Sequence, residues 1–265
     1  VDGLPMDERR AMHEAALSAA ADHARSEVTR LEALMQVASF EVRVLEQIEY
    51  AKRMIEEQPH RRQGWAWLQH FYTYTGEDAL ATEAGWTAWA LPDEPGSRRG
   101  PIIQSMHRSN PEAAVQMVDE LFRGATPNAN ITYQSHRALL GAGLVDRAAE
   151  LAASYLDRSS DNEGKIMVQL RQACAEGRVA DADALFDQIA PDSNTRWLFL
   201  KTLGYEDEAR ELLRPLDTPD LVFMLAEYLT YRSFEARDYP LLWSKLTDQG
   251  INRPHARPMT YQCKR

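Results

Sequence analysis

Apolar residues recur along this chain at intervals of three and four, the periodicity of amphipathic helices, and no stretch alternates as a half-buried strand would. Thirteen glycines and thirteen prolines punctuate the helical intervals. One motif returns at the breaks: GEDALA at 76, GLVDRA at 143, GRVADA at 177 and GYEDEARELL at 204. In each, a glycine suited to a tight turn is followed five residues later by an alanine, Ala81, Ala148, Ala182 or Ala209, small enough for a second helix to approach closely. The glycines are separated by 67, 34 and 27 residues, and 67 is nearly twice 34. Near the missing midpoint stands Asn110, in RSNPEAAVQMVDELF. It suits the cap of a helix starting at Pro111, and Asn is also the commonest substitute for Gly in a left-handed turn, so the hidden unit reads as degenerate rather than absent. The pattern predicts an all-α chain of helical hairpins, each too small to cover its own apolar face.

The clearest unit is GWAWLQHFYTYTGEDALATEAGWTAWALPDEP, at 64 to 95. It resembles the tetratricopeptide (TPR) repeat at Trp65, Leu68, Tyr72, Gly76, Ala81 and Ala88, with Pro92 and Pro95 near the expected stop, and a period near 34 is that family's spacing. The resemblance covers roughly residues 42 to 250, is strong in this one unit, and weakens at the large first-helix positions of the others. It implies a right-handed α-solenoid of antiparallel helical hairpins; a helical-hairpin array without that ancestry is the alternative. Three segments are expected: a long N-terminal capping or dimerisation helix in 1–38, TPR-like repeats over 39–250, and an extended basic tail over 251–265. Residues 6 to 38 read as one helix with seven alanines between Ala11 and Ala24, either covering the first hairpin or contacting a second copy in a homodimer. DYPLLWSKLTDQG at 238–250 has an Asp cap, a first-turn Pro and a Gly stop. Pro254 and Pro258 prevent the tail from continuing as a helix, while Ile251, Met259 and Tyr261 give it side chains to dock with.

With 265 residues and 44% hydrophobic content, the chain exceeds one compact globule, which predicts two domains or an extended array. The longest apolar runs, such as Leu221 to Ala226, are far short of the ~20 residues that cross a bilayer, so no membrane insertion is expected of this segment and it reads as soluble. A start at Val1 suggests a processed protein or an excised fragment. The net charge of -10 opposes nucleic-acid binding, which needs a basic face. Cys174 and Cys263 are too few and too far apart for a zinc site or a disulfide framework. Two free thiols, with Cys174 packed inside a helix, are favoured over a single bridge formed in an oxidising compartment. No two of the seven histidines stand at metal-binding helical spacing. DRSSDNEG at 157–164 lacks the glycine and distal glutamate of a calcium loop and reads as a connector. With no phosphate cradle, nucleophile elbow or paired carboxylates in the sequence, neither a cofactor nor an enzymatic role is expected.

Aromatic residues concentrate between 65 and 89. Trp65, Leu68 and Tyr72 occupy one stripe of their helix, and Trp67, His70, Phe71 and Tyr74 form a second. That second stripe either packs on a neighbouring hairpin or lines a concave groove, where Trp and Tyr anchor peptides. Close in sequence, GSRRGPIIQSMHRSN at 96–110 carries three arginines and no acid, and Arg61, Arg62, Arg98, Arg99 and Arg108 could surround one pocket for carboxylates. The expected function is therefore a non-catalytic scaffold binding a protein or peptide segment, acidic or carboxylate-bearing, with Trp67, His70 and Tyr74 as anchors and Arg98 and Arg99 as charge contacts. A second reading follows from FEARDYPLLWSKLTDQGI and the cysteine-bearing tail, which are similar to the C-terminal region of bacterial membrane-anchored regulators. That resemblance implies a sensory module in the periplasm and a Cys174–Cys263 bridge. An enzyme without a linear motif would instead need a deep pocket of convergent titratable groups.

Overall fold

The computed structural model describes residues 6–92, 99–123, 128–191, 193 and 195–264, and every regular element among them is helical. Five α-helices come first: α1 (Met6–Asp22), α2 (Glu27–Phe40), α3 (Val44–Glu57), α4 (Arg62–Thr75) and α5 (Asp78–Ala90). Eight more follow: α6 (Arg99–Ser109), α7 (Pro111–Phe122), α8 (Ala129–Gly141), α9 (Val145–Arg158), α10 (Asn162–Ala175), α11 (Val179–Phe186), α12 (Arg196–Leu203) and α13 (Glu206–Leu213). Two short ones, α14 (Val222–Ala226) and α15 (Pro240–Asp248), precede a tail without helix. The chain forms two compact units, one from Val1–Ser97 with Arg214–His255, the other from Arg98–Leu213 with Ala256–Arg265.

The recurring glycines are turn residues. Gly76, Gly143, Gly177 and Gly204 all have φ between +76° and +86°, the left-handed region that L side chains disfavour. The motif alanines Ala81, Ala148, Ala182 and Ala209 are each 0% exposed, set at the contact between the helices the glycines join. Asn110 departs from this scheme. Its backbone is extended, and its side chain accepts from Ala113 N at 3.1 Å, so it caps α7 and makes no left-handed turn.

In the first unit consecutive helices from α1 to α5 pack in order, α4 also meets the turn Glu227–Thr230, and α14 contacts α2 and α15. The stretch 6–38 is two helices rather than the expected one. Ser26, extended and accepting from Thr29 N at 3.2 Å, starts α2 anew and lets α1 pack against it. The Asp cap expected for the 238–250 helix comes from elsewhere: Leu241 N and Leu242 N both donate to the Asp217 carboxylate at 3.0 Å, while Tyr239 holds the N-cap position. Asp161, in the connector at 157–164, likewise caps α10 by accepting from Gly164 N.

In the second unit the helices form two series. α6 packs on α8, α8 on α10 and α10 on α12, and each of the four also packs against its sequence neighbour. These four are the buried series: every residue of α12 from Trp197 to Leu203 is buried, as is α8 from Gln134 to Leu140. Their partners are exposed on most faces, and α11 buries Ala182 alone. This pattern follows from the alternate helices α6, α8, α10 and α12 packing on one another while their sequence neighbours cover them from outside.

The tail docks by the residues expected to hold it. Ile251 is buried in the first unit. In the second, Met259 and Tyr261 pack on the cluster of Leu139, Leu140 and Ala148, Thr260 donates to the Leu140 and Gly141 carbonyls, and Cys263 N donates to Thr202 O at 2.9 Å. Cys263 is disulfide-bonded to Cys174, which corrects the expectation of two free thiols. The docked backbone brings the tail thiol to α10, a placement that sequence distance concealed.

Candidate functional site

Helix α4 lies between α3 and α5, with Leu68 buried and the Trp65 indole N–H donating to Pro59 O at 3.2 Å. The second aromatic stripe is one continuous cluster. Trp67 stacks on Phe71, with centroids 5.7 Å apart and planes within 10°; His70 meets Tyr74 at 4.9 Å and Trp67 edge-on at 5.9 Å. The Tyr74 hydroxyl donates to Glu227 Oε2 at 3.1 Å and lies 3.2 Å from His70 Nε2. Phe71 (2% exposed) and Tyr74 (3%) are core residues, whereas Trp67 and His70 are half-buried.

Trp67 forms part of the wall of a cavity of about 340 Å³. Leu17 of α1, Thr29, Glu32, Ala33, Met35 and Gln36 of α2 and Gln63 of α4 complete the lining. Leu17, Ala33, Met35 and Trp67 supply apolar surface, and the Gln63 amide donates to the Glu32 carboxylate across the α2–α4 side. Such a mixture accepts an apolar side chain and offers polar groups to the backbone that carries it. Gln36 and Thr29 are exposed at the lip.

The expected arginine pocket does not assemble as five exposed cations. Arg62 is buried, and its guanidinium donates to the Ala88 and Leu91 carbonyls at the C-terminal end of α5. Arg108 is buried in the second unit. Arg61 is exposed in the first unit, and Arg99 opens α6 of the second, half-buried. Arg98 lies outside the described residues. The α2 side of the cavity is hidden in a stretch whose periodicity predicts one helix over 6–38; Ser26 followed by Glu27 is the capping signal in the sequence that marks the break.

No protein-family model matches this chain, and no curated protein does. The site's chemistry is therefore read from the residues alone. Among the described residues no group of three or more His, Cys, Asp and Glu could hold a metal ion, and no helix is long and apolar enough to cross a membrane.

The second unit has its own polar centre. Arg108 on α6, Arg137 on α8 and Arg171 on α10 are all buried, with His107 and His136 beside two of them in sequence. Burial, with the Arg137, Arg108 and Arg171 charges added, holds His107 well below its ordinary pKa; burial and then Arg171 bring His136 down to about 3, against a stabilising bond from its ring to Gln172. Both imidazoles are neutral at pH 7. Arg171 sits 5.0 Å over the Tyr133 ring. A cation–π contact returns about 2 kcal/mol, whereas the desolvation of a guanidinium costs several. Sequence pattern carried one hint of this layer: Arg137 and Arg171 stand 34 residues apart, each six residues before a turn glycine.

Proposed function

We propose that this chain is a non-catalytic, TPR-like helical-repeat scaffold, its antiparallel hairpins wound as a right-handed solenoid, that binds an extended or helical segment of another protein. The observation that carries the reading is the cavity beside Trp67, where apolar wall and polar lip lie together on α1, α2 and α4. The bound segment inserts an apolar side chain against Trp67 and Met35, and its backbone meets Gln63, Glu32 and Gln36. His70 stands next to Trp67, and Tyr74 holds His70 from within the core.

The reading is tested by placing a photo-crosslinking residue at Gln36 in the full chain in its native host, identifying the adduct, and measuring binding of the captured segment to purified protein. Blocking the lip with Gln36→Arg, an exposed position, is expected to weaken that segment at least tenfold while leaving the melt unchanged. Unchanged affinity in this variant contradicts the proposal.

A second reading, the sensory module of a membrane-anchored regulator in the periplasm, is favoured by the Cys174–Cys263 bridge, since such bonds persist in oxidising compartments. The two readings are compatible, and mass spectrometry of protein taken from its host without reductant tests the second: two free thiols argue against it.

A further inference from the structure

The two acids of helix α2 have opposite surroundings. Glu27 is held by two arginines: Arg30 bonds it through Nε and Nη2, both at 2.7 Å, and Arg53 Nη2 reaches it at 2.6 Å. Glu32, half-buried in the wall of the cavity beside Trp67, has no counter-ion among the described residues. Its one partner among them is the Gln63 amide, which donates to Oε1 and leaves Oε2 open. A neutral amide occupies a lone pair and cancels no charge. Among the described residues of that lining Glu32 alone is charged, in a chain of net charge -10, so the field in the cavity is negative.

The wall around this carboxylate is Trp67, Met35 and Leu17. Indole is the aromatic ring that attracts cations most strongly, and the stems of Lys and Arg pack along apolar surface while their heads seek charge. At about 340 Å³ the cavity has the volume of a small-ligand site, room for more than one aliphatic group. Resting on the scaffold reading, we propose that the bound segment is basic. Beside the apolar side chain that packs on Trp67 and Met35, it places a lysine or arginine whose stem lies along the same wall and whose head pairs with Glu32. The sign is opposite to that of the acidic segment expected from the sequence arginines, because Arg62 is turned onto the Ala88 and Leu91 carbonyls while Glu32 lines the cavity.

The test selects random phage-displayed peptides on the full chain, with counter-selection on Trp67→Ala. The recovered peptides are expected to share a Lys or Arg close to an apolar residue. One is synthesised with a fluorescent label, and again with norleucine in place of its basic residue, a change that keeps the stem and removes the charge. Wild-type protein is expected to bind the norleucine form about tenfold more weakly, the effect of losing one charged hydrogen bond. Glu32→Gln, which can still accept from Gln63, is expected to bind both forms alike. Trp67-dependent peptides without a basic residue, or a norleucine penalty undiminished in Glu32→Gln, overturn the inference and leave the scaffold reading standing. Recovery of no Trp67-dependent peptide contradicts the scaffold reading itself, and this inference with it. Should Glu32→Gln fail to fold, titrations of the wild type at rising sodium chloride decide: the basic peptide is expected to weaken and the norleucine form to hold, whereas equal salt dependence overturns the inference.

Discussion

Arg253 Nη1 lies 2.8 Å from the Tyr74 carbonyl oxygen and 2.7 Å from that of Thr73, while Nη2 donates to Tyr231 O at 2.9 Å. A tail residue thus closes the C-terminal end of α4, where unpaired carbonyls and the helix dipole favour a cation. Burial draws the guanidinium down from its ordinary value to about 10, so it is still charged at pH 7. Arg253→Met orphans three carbonyls and is expected to destabilise the first unit by about 3 kcal/mol. Urea denaturation checks the size, and hydrogen exchange at the end of α4 checks the place.

The turn glycines differ in what surrounds them. An added Cβ at Gly177 meets nothing within 4 Å, so Gly177→Ala should cost only the left-handed strain, about 1–2 kcal/mol. At Gly76 the same Cβ lies 2.5 Å from Pro254 Cδ. Gly76→Ala should therefore cost more than Gly177→Ala and loosen the tail around Arg253. Parallel denaturant melts of the two variants compare them directly.

The Cys174–Cys263 bridge joins residues 89 apart, for which loop-closure entropy gives about 4–5 kcal/mol. Reduction, or Cys263→Ser, is expected to lower the unfolding free energy of the second unit by about 3–5 kcal/mol. Denaturation with and without reductant measures it.

His136 supplies a pH dependence. Its folded pKa is about 3 against 6.5 unfolded, so between those values the unfolded chain binds the extra proton. The stability is fully present above pH 6.5 and is lost as pH falls toward 3, at about 1.4 kcal/mol per pH unit. His107 acts in the same direction. His136→Asn should reduce the slope between pH 6 and 4 by that amount, read from urea melts across the range.

Four helix–turn–helix joints were legible because their turns take a left-handed backbone, which glycine adopts readily, and a buried alanine follows each five residues on. Sequence pattern thus located Gly76, Gly143, Gly177 and Gly204 and the buried alanines after them. The break before Ser26 was less visible, because a lone serine in an alanine-rich stretch is a weak stop signal. Asp217 capping α15 was invisible, since 24 residues separate the carboxylate from the amide it binds at Leu241. For the candidate site, periodicity placed Trp67, His70, Phe71 and Tyr74 on one stripe, but it could not separate half-buried Trp67 from buried Tyr74. That difference depends on Glu227, which reaches the Tyr74 hydroxyl from another part of the chain. The buried arginines were opaque for a similar reason: Arg62 and Arg108 sit beside charged, polar neighbours in sequence and become interior only when helices stack around them.

The most direct test of the scaffold reading is paired photo-crosslinking in the native host, with the probe at Gln36 on the cavity lip or at exposed Leu212 on α13. The account predicts a discrete protein adduct at Gln36, absent at Leu212, and lost when Trp67→Ala is added to a chain that still melts cooperatively. Adducts of equal yield at both positions, or one at Gln36 that survives the loss of Trp67, would contradict it.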